Sequence, residues 1–220
     1  GTINVDETLT AGTFTQSGVA ATTASAATIA ANVAQTGAGA ITATTSIGSD
    51  GNAKSVSQSG AGRINTDHVY GTVSQTGTGA ARLQANGATL VLEGDVTQEN
   101  ANATVGTTST GVTVNQGFTQ TAGKIEAATL ELNNAEKDYT LESTGNNVAT
   151  LTGTAKSVTL DDTARTGKLS LSGLNVGTGD GNAVTVKKAA DVELAGVTAK
   201  EIVVTKADAV TDSGSGVAGG

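Results

Sequence analysis

The sequence predicts an all-β chain wound as a parallel β-helix, a β-solenoid of about ten coils of 17–23 residues. Three observations carry this expectation. A five-residue pattern recurs: an apolar residue, a small residue, Gln, Ser or Thr, then Gly. Short apolar–polar–apolar triplets fill the rest of the chain. Amphipathic helical periodicity is missing throughout.

The pattern first appears as Phe14-Thr15-Gln16-Ser17-Gly18 and Val33-Ala34-Gln35-Thr36-Gly37. It returns as Val56-Ser57-Gln58-Ser59-Gly60 and Val73-Ser74-Gln75-Thr76-Gly77. A degraded copy, Val96-Thr97-Gln98-Glu99-Asn100, precedes Phe118-Thr119-Gln120-Thr121-Ala122-Gly123, which carries one extra residue before its Gly. The six Gln are 19, 23, 17, 23 and 22 residues apart, the size of one solenoid turn. A β-sandwich would also show short strands, but it gives no reason for one motif to return at a coil-sized interval.

Between the Gln copies and beyond them lie the triplets. They include Ile41-Thr42-Ala43, Leu90-Val91-Leu92, Val112-Thr113-Val114, Leu130-Glu131-Leu132 and Tyr139-Thr140-Leu141. Val158-Thr159-Leu160, Leu169-Ser170-Leu171, Val184-Thr185-Val186, Val192-Glu193-Leu194 and Ile202-Val203-Val204 continue the series. Bounded by Gly, Asn and Asp, each reads as a very short half-buried strand. Val210-Thr211-Asp212-Ser213-Gly214 keeps the frame of the motif with Asp for Gln, 92 residues after Gln120. Four further coils are therefore expected in the second half, and one solenoid is expected over 1–214. The Gly-rich stretch 215–220 reads as a flexible tail.

Composition narrows the role. The chain has two Tyr, two Phe and no Trp, so the interior must be thin and aliphatic. With no Cys, disulfides and thiolate metal sites are excluded. A net charge of −8 argues against nucleic acid and against anionic membrane surfaces as partners. No apolar run reaches the length of a membrane helix, and Gly1 to Thr10 has neither the basic start nor the apolar core of a signal peptide. The chain then reads as cytosolic, or as a mature or excised piece of something longer.

In each motif copy the apolar residue and the Gln are two apart, hence on one strand face. If that face is inward, Gln16, Gln35, Gln58, Gln75, Gln98 and Gln120 can form a ladder of amides from coil to coil. If the corner turns Gln outward, it is a solvated polar row. The following Gly suits a corner needing positive φ. Candidate chemistry is sparse. Asp161-Asp162 with Asn65-Thr66-Asp67 invites comparison with paired-carboxylate polysaccharide hydrolysis, but these are also ordinary turn residues, about four coils apart. His68, the single His, lies beside Tyr70 without a nucleophile motif. Gly177-Thr178-Gly179-Asp180-Gly181-Asn182 lacks the Lys of a phosphate loop and reads as a turn. Lys187-Lys188 alternates with acids, as a solvated face does. No catalytic residue, metal site or cofactor is expected.

The stretch Phe118-Thr119-Gln120-Thr121-Ala122-Gly123-Lys124-Ile125, followed by Leu130-Glu131-Leu132, resembles the filamentous haemagglutinin-like exoproteins. So does Val148-Ala149-Thr150-Leu151-Thr152-Gly153-Thr154-Ala155 followed by Val158-Thr159-Leu160. The resemblance covers most of residues 10–214. It implies a right-handed parallel β-helical shaft of an adhesin secreted by a Gram-negative bacterium through a two-partner system. The family's export domain carries Asn-Pro-Asn, and this chain has no Pro. The resemblance therefore implies shaft, a secreted or cell-surface location, and no catalysis. Expected partners are further coils of a longer chain, other copies stacked end to end, or a host or surface glycan. The alternative is a carbohydrate-binding or carbohydrate-cleaving β-helix.

Overall fold

The computed structural model describes residues 1–20 and 22–214; the tail 215–220 lies outside them. All regular structure among the described residues is β, in parallel strands that pair each coil with the next. The pairings sort into three columns running along the stack. Strands wrap the corners between columns without interruption: Lys124–Leu141 contributes to all three in turn.

Among the described residues the column holding the repeated motif has ten rungs. They begin at Phe14, Val33, Val56, Val73, Val96, Phe118, Tyr139, Val158, Val184 and Ile202. The solenoid of about ten coils is thus the observed fold. One coil exceeds the expected length: Val158 and Val184 are neighbours 26 residues apart. Most of the surplus lies between Asn175 and Val184, which pair with Thr154 and Val158, in the turn where Asn182 N donates to Gly179 O at 3.1 Å.

Alternation decides what faces inward. In Val56-Ser57-Gln58 the outer two residues are buried and the middle one exposed. The second column stacks Ile29, Ile47, Val69, Leu92, Val114 and Leu132, and the first stacks Ile41, Ile64, Leu83, Val105 and Ile125, all buried. Each such side chain contributes about 1.5–3 kcal/mol on burial. A single coil has no core of its own, so that term exists only between coils. Of the four aromatic residues, Phe14, Phe118 and Tyr139 occupy the motif column. Tyr70 alone lies outside this interior row.

The expected positive φ holds for some of the motif glycines and not for others. Gly18, Gly37 and Gly60 do not have positive φ; only Gly77 and Gly123 among the motif copies do. A Cβ on Gly37 would collide with Gly18 O, and one on Gly60 with Gly37 O. Close approach of successive coils, not a left-handed corner, requires Gly there.

Asp212 is also not a frame-keeping copy of the motif. The Gln row continues from Gln120 to Leu141, Leu160, Val186 and Val204. Asp212 pairs instead with Leu194, in the second column. Four coils do follow Gln120, but they end at Val204.

Tyr139 is buried with its Oη unpaired. The Asn134 backbone is near enough to counter the shift slightly but not in hydrogen-bonding geometry, and burial pushes the phenol up to about 12. Its neighbour in the stack is Phe118. Tyr139→Phe is expected to leave stability unchanged or raise it by about 1–2 kcal/mol, since an orphaned hydroxyl is removed. Chemical denaturation measures this, and a loss above 1 kcal/mol would show a hydrogen bond that the fold does not display.

Candidate functional site

Two arrays of polar side chains run along the stack, one inside and one outside. The inner one is built from the motif. Gln35, Gln58, Gln75 and Gln98 are wholly buried, and Gln120 nearly so. Gln58 Nε2 donates to Gln35 Oε1 at 2.7 Å, and Gln75 to Gln58 and Gln98 to Gln75 at 2.9 Å each. Gln120 donates to Gln98 at 2.8 Å. The second N–H of each amide reaches a main-chain carbonyl further along: Arg82 for Gln58, Thr104 for Gln75, Lys124 for Gln98. One side chain therefore ties a coil to the coil before it and to a later strand start.

Both ends of the ladder are closed by other chemistry. Asn146 receives Gln120 Nε2 at 2.9 Å, returns a bond to Gln120 Oε1 at 2.9 Å, and accepts from the Ile125 amide. At the other end Gln16 is not linked to Gln35. It donates to Thr22 Oγ1 at 2.7 Å, and its Oε1 is buried without a partner. Gln35 spends its amide on the carbonyls of Gly39 and Arg63. Beyond Asn146 the same row is aliphatic.

The acidic pairs singled out in the sequence are held apart and used locally. Asn65 Nδ2 donates to Thr42 Oγ1, Thr66 is buried, and Asp67 Oδ1 accepts from the Gly87 amide. Asp161 accepts from both the amide and the hydroxyl of Thr163. Asp162 is fully buried; its Oδ1 accepts from the Val148 amide at 2.8 Å and its Oδ2 has no partner. Burial pushes its carboxyl up to about 7, against the lowering effects of that hydrogen bond and of Arg165; neighbouring Asp161 adds to the rise. Asp162 plays the part that Asn146 plays for Ile125, a corner side chain fixing a backbone N–H. The Gly177–Asn182 segment is a turn: Asn182 N donates to Gly179 O, and Asp180 pairs with Lys200 at 2.7 Å. Lys187 pairs with Glu142 at 2.7 Å on the surface.

The outer array starts at His68 and Tyr70. They flank buried Val69, the last residue of the strand Arg63–Val69, His68 on the strand and Tyr70 just after it, so neither lies on the inward face. Their rings stack with centroids 4.1 Å apart and planes 5° from parallel. His68 Nε2 lies 2.8 Å from Glu93 Oε1, to which it donates. Asn115 Nδ2 donates to the other oxygen, Glu93 Oε2, at 2.8 Å, and Asn133 Nδ2 to Asn115 Oδ1 at 3.1 Å. The register continues the row through Thr154 and Asn175. An open recess of about 670 Å³ lies between the stacked pair, Glu93 and the turn at Ser49–Gly51. A second, of about 400 Å³, borders the same two rings on the side of Thr45, Asp67 and Thr89. Sequence reasoning placed His68 beside Tyr70 but missed the row. Its members are of different types, and only the coil register aligns them.

Two expectations follow. Gln75→Leu strands a buried oxygen on Gln58 and a buried N–H on Gln98, at about 1–3 kcal/mol each. Gln16→Leu removes an already orphaned oxygen and should cost far less; equal losses in denaturant titrations would contradict the ladder. For Asp162 the folded pKa is raised, so the folded state holds a proton that the unfolded state has released between pH of about 4 and 7. Stability contributed by this group is complete below about pH 4 and lost as pH rises through about 7, on the order of 4 kcal/mol. Asp162→Asn should flatten that part of the stability–pH curve and raise stability at pH 8. An unchanged slope would place the proton elsewhere.

No protein-family model matches the chain, and neither a curated protein nor a solved structure matches it.

Proposed function

We propose that this chain is a stretch of shaft in an extracellular fibre or surface adhesin, secreted by a Gram-negative bacterium in the manner of the filamentous haemagglutinin-like exoproteins. The observation that carries the reading is the uninterrupted stack. Ten rungs pair in parallel, and one continuous apolar core runs through them, stitched by buried amides. Such a body resists bending and shear because each inner coil is paired with both neighbours in all three columns. Its function is to span distance.

The large apolar side chains that remain exposed, Ile3, Val19, Val203 and Val210, belong to the first and last described coils. Those coils present strand edges of the kind that pair with another coil. The occupant is either more of the same polypeptide or the end of a second copy. A structural role also accounts for the burial or local use of Asp67, Asp161 and Asp162.

The test has two arms. Antibody against this chain should label intact cells of the producing bacterium, and protease added outside should remove the signal; label found only after lysis would overturn the extracellular reading. In sedimentation velocity, the isolated chain should gain mass with concentration. A concentration-independent monomer would exclude end-to-end stacking of copies and leave further coils of one polypeptide as the neighbours.

A further inference from the structure

Equivalent positions in successive coils lie about 4.8 Å apart along the axis. Tyr70, Glu93, Asn115, Asn133, Thr154 and Asn175 are such positions, one per coil, on one outward line. We infer that this line is a binding track for an uncharged linear polysaccharide laid along the coil axis, with the His68–Tyr70 stack as its anchor. The inference does not rest on the fibre reading, since the track would bind wherever the protein resides.

Sugar rings are amphipathic. They present C–H faces that pack on aromatic rings and hydroxyls that both donate and accept. The track offers matching groups in a matching order. At its head stands Tyr70, the one aromatic residue outside the interior row, bordering an open recess on each flank. Glu93 and Asn115 follow. Their side chains are already held by neighbours, Glu93 by His68 and Asn115, and Asn115 by Asn133. Groups fixed before binding lose little further freedom on binding. The row also leaves capacity unused: within it Asn115 employs one N–H and one lone pair of its carboxamide, and keeps another of each for a ligand. Asn133, Thr154 and Asn175 are exposed, so the track is open along its length.

Charge selects among polymers. Among the described residues no Lys or Arg lines either recess, whereas Asp50, Asp67 and Glu93 do. Acidic polysaccharides would meet repulsion there and find no cation to offset it. Beyond that anchor the row consists of Asn115, Asn133, Thr154 and Asn175, whose uncharged amides and hydroxyl pair with sugar hydroxyls and offer no carboxylate to hold an ammonium-bearing polymer along the axis. One-dimensional repetition adds a length rule. A ligand that follows the axis gains contacts with each added residue, until it outruns the row.

The chain is well suited to a direct test. It has one His, no Trp, and one of its two Tyr in the interior. The ring signals of His68 in proton NMR and the tyrosine fluorescence therefore report on this site. The full chain is titrated with cello-, xylo-, manno-, laminari- and malto-oligosaccharides of increasing length, and with oligogalacturonate and chitosan oligomers. At least one neutral series should shift the His68 signals and tighten with length. Tyr70→Ala should weaken that binding about tenfold, as loss of an aromatic anchor does. Thr154→Arg, on the exposed part of the row, should abolish the gain with length while leaving thermal unfolding unchanged. Thr119→Ala, on another column, should have no effect. The inference is overturned if no neutral oligomer perturbs His68, if a charged oligomer binds more tightly than every neutral one, or if binding is the same in the Thr154→Arg and parent chains.

Discussion

Coil-to-coil register is the constraint on which everything else here depends. No coil of this chain encloses enough apolar surface to fold alone, so each inward side chain is buried by its counterpart one coil away. A slip of one residue would turn every inward position outward. The parallel pairing therefore has to be right in all three columns at once. The glycines show how tight the fit is: Gly60 backs onto Gly37 O, which leaves no space for a side chain between coils.

The buried Gln ladder is a consequence of that register. An amide in an apolar interior costs free energy unless its donors and acceptor are met. Here Gln75 meets Gln58 on one side and Gln98 on the other only because the coils align them. The second half of the chain shows that this solution is optional. Leu141, Leu160, Val186 and Val204 fill the same row with hydrocarbon. The change between regimes is where polar groups need special care, and Asn146 closes the last Gln from both sides. Asp162, further on, does a similar corner task with a carboxylate and leaves one oxygen unpaired. A buried acid in that position makes part of the stack's stability depend on pH, which the amide-based corners avoid.

Legibility followed from how each feature is encoded. The six Gln recur in nearly identical surroundings, so their spacing was visible, and with it the solenoid. Gln16 looks like the others, yet it falls outside the ladder because Gln35 turns its amide to Gly39 and Arg63. That choice is made by local geometry and leaves no mark in the motif. Asp212 was misplaced for the opposite reason. Val210-Thr211-Asp212-Ser213-Gly214 has the motif's dress, but strands of the second column, such as Val192-Glu193-Leu194, carry the same alternation. Alternation tells inside from outside; it does not tell one column from another. The 26-residue coil hid the discrepancy, because the short coils around it restore the mean.

The outer row was illegible for a deeper reason. Inward positions are restricted to a few apolar side chains or to a self-complementary amide, so they repeat in kind. Outward positions face water and are free to differ, as Tyr70, Glu93, Asn115, Asn133 and Thr154 do. An outward line that is nevertheless hydrogen-bonded, as Asn133 is to Asn115 and Asn115 to Glu93, is therefore not demanded by folding in the way the inner ladder is. Exposed hydrogen bonds of this sort contribute little net stability, since water competes for each partner. Their larger effect is to hold side chains still on a surface whose spacing the coils already dictate. A solenoid converts sequence into a ruled line, and on this one the polar groups are fixed in place and headed by the stacked His68–Tyr70 pair.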